Sequence, residues 1–228
     1  MFISNTCQCP DCKNAALSII RDGEIISNEP GFCFDHTENK EEYLNSIRNY
    51  VETHDKIVGL TACGITVKGL DLSNKRFYGC NFQHVLFNNV HADGMRLRMC
   101  TTDFATFTDC DFINSNIQFS SFAGSKFVHM VLTGSDLIHN NFNGITAYQC
   151  SFDNSDLYNS RFIKAILMNT SMQDCNLKKT IFYDSARENV SFKLQRGEHV
   201  GLVGANGEGK STFLNIVTGH VLPDDGKV

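Results

Sequence analysis

Two groups of residues in this 228-residue chain have types and spacing that could do chemistry. The first is Gly204-Ala205-Asn206-Gly207-Glu208-Gly209-Lys210-Ser211, which satisfies the pattern G-x-x-x-x-G-K-[ST]. An apolar stretch from His199 to Val203 reads as a strand leading into it, and helical spacing follows it up to Gly219. Such a loop works in that context of strand, loop and helix. The backbone amides of Gly204, Asn206, Gly207 and Gly209 would cradle phosphates at the positive end of a helix. Lys210 would reach the outer phosphates and Ser211 would hold Mg2+, with Thr212 beside them at the helix start.

The second group is Cys9-x-x-Cys12 and Cys33-x-x-His36, with Cys7 as an alternative ligand. Each pair is a turn that sets two donors on one side of a tetrahedral ion, which predicts Zn2+. Ala15 to Ile20 and Glu24 to Ser27 read as two strands joined at Arg21-Asp22-Gly23, the build of a zinc ribbon. The metal is expected to be structural. So short a segment needs a staple to hold a core, and three thiolates with one imidazole leave no open position for catalysis.

The elements that must position these groups come next. Glu38 to His54 has helical spacing, with Thr37 as N-cap and Tyr43, Leu44, Ile47, Tyr50 and Val51 on one face. From Leu72 to Phe182 every fifth residue is large and apolar except Ala92, Thr102 and Ala147. Two residues before each stands a mostly small one. Cys80, Cys100, Cys110, Cys150 and Cys175 fall in that column, so they read as small buried residues rather than ligands. Two residues after each large one stands most often Gly, Asn or Asp, which tolerate left-handed backbone. A period of five fits neither a helix nor a strand, so the chain must turn a corner once per repeat.

These columns resemble the pentapeptide-repeat family, and Ser135-Asp136-Leu137, Ser155-Asp156-Leu157 and Cys175-Asn176-Leu177 match its motif residue for residue. The resemblance implies a mainly β chain built on a right-handed quadrilateral β-helix, with one pentapeptide per face and four per coil. Residues 20 apart should then stack, giving the row Phe82, Thr102, Phe122, Phe142, Phe162, Phe182 and the row Phe87, Phe107, Phe127, Ala147, Leu167. At about 4.8 Å per coil, nearly six coils would make a rod of about 28 Å. Met95-Arg96-Leu97-Arg98-Met99 departs from the motif, and a bulge or protruding loop is expected there.

Asn189-Val190-Ser191-Phe192-Lys193-Leu194 through Gly219 is similar to the opening of an ABC-type ATPase domain, above all to the soluble ABC-F branch, whose members act on ribosomes. That resemblance implies ATP with Mg2+ at the glycine loop. No Walker B carboxylates, signature motif or switch histidine follow before Val228, so ATP hydrolysis is not expected of these residues. The expected organisation is a zinc-ribbon segment over 1–37, a capping helix and lead-in strand over 38–67, the β-helix over 68–185 and the partial nucleotide-binding segment over 186–228.

Composition bounds the function. With 42% hydrophobic and 20% charged residues the chain reads as soluble and globular, without the long apolar run of a membrane span or a signal peptide, so a cytoplasmic location is expected. Up to Val67 there are ten acidic residues against five basic, whereas Lys68 to Asp184 holds ten of each. Nucleic acid is therefore not an expected partner. The balanced rod also speaks against the acidic DNA mimicry by which some members of the resembled family act on topoisomerases. The expectation is a non-catalytic scaffold that meets an unidentified protein partner on its solenoid faces, with self-pairing left open. The alternative is a nucleotide-dependent protein whose tail binds ATP.

Overall fold

The computed structural model describes residues 5–26, 29–188 and 190–192. Strands β1 (Ile19–Arg21) and β2 (Glu24–Ile26) pair antiparallel, Ile19 opposite Ile26. Asp22 and Gly23 join them at φ of 53° and 78°, the doubly left-handed turn that matches strand twist in a two-residue hairpin.

Helix α1 (Lys40–Thr53) follows. Its N-cap is Asn39 rather than Thr37. The Asn39 side chain accepts from the Glu42 amide at 3.2 Å, the N-cap bond proper, and donates its own Nδ2 to the Glu42 carboxylate at 2.8 Å. Thr37 is drawn off instead to donate to the Cys33 carbonyl at 3.0 Å. At the other end the Lys75 ammonium donates to the Glu52 and His54 carbonyls, both at 3.0 Å, where the helix dipole favours a cation. That explains a lysine in a column of small residues. The helix buries Ile47, Tyr50 and Val51 in one continuous core with Ile57, Leu60 and Phe77, as expected of a cap on the solenoid.

From Lys56 onward the chain turns every five residues and meets itself every twenty. Four parallel rows result. The first face runs Lys56, Arg76, Arg96, Asn116, Asp136, Asp156, Asn176. The second runs Thr61, Asn81, Thr101, Ser121, Asn141, Arg161, Ile181. The third begins Thr66, Leu86, Thr106, Lys126 and the fourth Asp71, His91, Asp111, Val131. The result is a mainly β solenoid of about seven turns. The ladder starts at Lys56 rather than Lys68, because Ile57, Ala62 and Val67 already supply the inward column and Gly59, Gly64 and Gly69 the corners. It also runs past 185: Ala186–Glu188 pairs with Ile166–Met168, and Ser191–Phe192 with Ser171–Met172.

No bulge interrupts Met95 to Met99. Arg96–Arg98 pairs in register on both sides with Leu97 buried, and Met95, a large residue in the small column, is accommodated inside the tube without a break in the ladder. Inside, Phe142 stacks on Phe122 at 5.1 Å and on Phe162 at 4.9 Å, and Phe162 on Phe182 at 5.0 Å. Phe87 stacks on Phe107 at 4.7 Å, while Phe107 meets Phe127 edge to face at 5.3 Å, both favourable aromatic geometries. An apolar void of about 50 Å³ remains among Val51, Leu60, Phe82 and Phe87.

The small column does more than save space. The Ser135 hydroxyl accepts from the Ser115 amide at 2.9 Å and donates to the Phe112 carbonyl at 2.9 Å, and Ser155 and Asn140 repeat the arrangement. These groups lie inside the tube, so each small polar side chain satisfies one buried donor and one buried acceptor. Cys100 performs the accepting half weakly, its sulfur taking the Cys80 amide at 3.3 Å. Ser135→Ala keeps the volume but strands both backbone groups, and urea denaturation is expected to show a loss of about 1–3 kcal/mol. A neutral result would mean that size alone governs the column.

Candidate metal centre

The N-terminal cluster is built by three turns converging beside the first coil. Cys12 donates its amide to the Cys9 carbonyl at 3.2 Å, and Phe34–His36 forms a 3-10 turn in which the His36 amide reaches Cys33 at 3.1 Å. Cys7 is fixed by its amide to the Asn14 carbonyl at 2.9 Å, next to the antiparallel bridge of Thr6 with Ala15. The segment docks on the solenoid by Ser18 donating its amide to Thr61 at 2.8 Å, with the Thr61 amide returning to the Ser18 hydroxyl at 2.8 Å. Leu17 enters the common core.

The donors of Cys7, Cys12, Cys33 and His36 all lie within 4.8 Å of one another. The His36 Nδ1 is 3.4 Å from the Cys7 sulfur and 3.3 Å from the Cys33 sulfur, and the Cys12 and Cys33 sulfurs are 3.8 Å apart. A tetrahedral zinc with Zn–S of about 2.3 Å and Zn–N of about 2.0 Å has edges of about 3.8 Å between sulfurs and about 3.5 Å between sulfur and nitrogen. The residues fit. Of the expected ligands, Cys12, Cys33 and His36 are brought together, whereas Cys9 stands outside this group and Cys7 completes it. The C-x-x-C spacing favours Cys9, but the bridge of Thr6 turns the buried Cys7 inward and leaves Cys9 half-buried, closing the turn with its carbonyl.

Burial works against a Cys7 thiolate. Backbone hydrogen bonds from Cys33 and Cys9 and side-chain contacts with Cys33 and Cys12 outweigh it, so its pKa lies below the ordinary thiol value. The Asn14 amide group points at the Cys33 sulfur at 3.9 Å and at the Asp35 carboxylate at 3.5 Å, an outer contact that steadies the turn. Elsewhere burial first of all raises the thiols of Cys63 and Cys150 to about 11, which suits packing rather than reactivity. All ten cysteines are free of disulfides. Gly204, Asn206, Gly207, Gly209, Lys210, Ser211 and Thr212, with the strand and helix expected around them, lie outside the described residues. Among the described residues no helix is long and apolar enough to cross a membrane.

Four five-residue faces repeated every twenty residues define a quadrilateral β-solenoid. Residues 67–137 match the pentapeptide repeat region family, and 148–184 match the pentapeptide repeats family in eight copies. The middle of the chain is thus a pentapeptide-repeat region, and residues 187–228 match the ABC transporter family. That match begins inside the last coil of the solenoid. The ABC transporter ATP-binding protein YfmM of Bacillus subtilis is 75% identical over 40 residues, covering 18% of this chain and 8% of that protein. ABC transporter F family member 5 of Arabidopsis thaliana is 45% identical over 53 residues, covering 23% and 8%. This chain thus spans less than a tenth of the length of either. Among solved structures, a pentapeptide repeat protein from the Arabidopsis thaliana thylakoid lumen aligns over 66% of this chain and 76% of its own, at 20% identity and a TM-score of 0.40. The plasmid-mediated fluoroquinolone resistance protein QnrB1, in a trypsin-treated form, aligns over 60% and 84%, at 20% identity and 0.37.

Proposed function

We propose that this chain is a non-catalytic protein-interaction scaffold, capped by a structural zinc ribbon and carrying an ATP-binding loop in its C-terminal segment. One observation carries the scaffold reading: the tube is filled by its own side chains, with rows of rings and serines where a ligand cavity would be, so recognition falls to four outward walls. Each wall holds its side chains on a rigid parallel ladder, which lowers the ordering cost of binding. Zinc held by Cys7, Cys12, Cys33 and His36 would hold the ribbon together beside the first coil without offering a reactive position.

The nucleotide part rests on the loop sequence and on the family match that spans it. Titration with a fluorescent ATP analogue tests it: the parent chain is expected to bind with Mg2+ present, and Lys210→Ala to lose at least about tenfold in affinity. Equal weak signals from both would remove ATP from the proposal and leave the scaffold.

A further inference from the structure

The three most exposed large apolar residues described are Met99, Phe104 and Phe119, at 60%, 58% and 56%. All three occupy corners, at φ of 53°, 58° and 52°, the left-handed region that Gly and Asn enter easily and bulky side chains do not. Elsewhere the corners are mostly Gly, Asn or Asp. At these three the sequence accepts backbone strain together with solvent-exposed apolar surface, and folding covers less than half of each side chain in return. The three lie on adjacent corners: Met99 and Phe119 end coils of the first face, and Phe104 ends a coil of the second.

The rings are also pre-ordered. Phe104 stacks on His84 at 5.3 Å and 11°, and Phe119 on His139 at 4.8 Å and 8°. Gly124 makes the seat for Phe104, since a Cβ there would come within 2.6 Å of the ring. The Phe104 ring therefore has its faces taken by the coils on either side and turns its edge outward. A nucleic-acid base needs a free ring face, whereas an aliphatic side chain packs against such an edge.

On the first face, beside the corner of Met99 and Phe119 and one wall's width from Phe104, Lys56, Arg76 and Arg96 stand directly opposite one another in parallel register, with Arg98 next to Met99. Like charges in that position repel. None of the four has an ion pair among the described residues; Lys56 lies 5.8 Å over the Tyr78 ring, and Arg98 donates to the Asn116 side-chain oxygen Oδ1 at 3.2 Å. An uncompensated column of cations next to an ordered apolar ridge complements a ligand that carries both carboxylates and aliphatic groups.

We infer that this ridge and cation column form the docking surface of the rod, and that its occupant is a segment of a partner protein combining acidic and aliphatic side chains. The inference rests on the scaffold reading and names its site. The test uses the full chain, fluorescently labelled, on an array of random-sequence peptides. Parent hits are expected to be rich in Asp or Glu together with Leu, Ile or Phe. The double variants Arg96→Glu/Arg98→Glu and Phe104→Asn/Phe119→Asn should each lose at least tenfold of the signal, while Lys126→Glu on the third face should change it less than twofold. Hits that survive both double variants overturn this site and leave the scaffold standing; an array without hits overturns both. Tighter binding of a uridine oligonucleotide than of the best peptide would replace the protein partner with RNA. Self-association that the arginine variant abolishes would replace it with a second copy, whose fourth face carries Asp71, Asp93 and Asp111. A separate melting curve guards against a structural role: Phe104→Asn/Phe119→Asn should melt no lower than the parent, and a clear fall would overturn the inference.

Discussion

Phe142→Ala is expected to lower the stability of the rod by about 3–5 kcal/mol, read from guanidinium denaturation followed by circular dichroism. Phe142 is 1% exposed, stacked between Phe122 and Phe162 and met edge-on by Phe127 and Phe152. Alanine would leave a ring-sized void whose walls are backbone ladders that cannot collapse inward. Each coil touches only its neighbours, so the damage should also reduce cooperativity and broaden the transition. Phe182→Ala serves as the comparison. Its ring stacks on Phe162 at 5.0 Å and lies under Arg187 at 5.5 Å, so a cation replaces one of the two rings that flank Phe142 and the loss there should be smaller by about 1 kcal/mol. Equal losses would mean that the aromatic row is not stabilised by stacking along the tube.

The second large effect concerns the metal. The purified chain is expected to carry one zinc, and Cys12→Ser or prolonged chelation should remove it, while Cys9→Ser keeps it. In a segment this small, bound zinc is worth about 10 kcal/mol or more. Its loss should therefore unfold the ribbon outright, seen as rapid proteolysis between β1 and β2 and loss of their amide protection. The solenoid should survive, because Ile47, Tyr50 and Val51 of α1 cover its end independently of the metal. Zinc retained by Cys12→Ser would dismiss the four-ligand centre; zinc lost from Cys9→Ser would restore Cys9 to it.

Much of this was legible because a five-residue period has few physical solutions. The inward column and the corner column, including Gly79, Gly94 and Asn154, can be read directly, and stacking by twenty places Phe142 between Phe122 and Phe162 from the sequence alone. The hairpin followed from Asp22-Gly23, whose turn chemistry is local. Effects that arise only between coils were hidden. Ser135 reads as small in the sequence, and its bonds to Ser115 and Phe112 exist only once those residues are brought alongside. Cys7 was harder to find than Cys9 because no short spacing marks it, and what turns it inward is the bridge of Thr6 with Ala15. Charge was the most misleading quantity. Counted along the chain the rod is balanced, yet folding by twenties gathers Lys56, Arg76 and Arg96 on one wall and Asp71, Asp93 and Asp111 on another. The candidate nucleotide loop was legible from its motif alone, since its signature is local to eight residues.

The corner at every fifth residue also governs which length changes the rod can absorb. Removing or adding one residue would put every later side chain out of phase, turning rings such as Phe142 and Phe162 toward water. Removing twenty would shorten the rod by one coil and leave each wall as it was. Removing five is the unusual case: core and corner columns stay in step, but everything downstream advances by one wall. A five-residue deletion between α1 and Arg96 would thus carry the apolar ridge a quarter turn around the axis relative to the ribbon, with the interior still filled. The repeat gives this lineage a dial with four settings for where a surface points, adjustable without redesigning what holds it up.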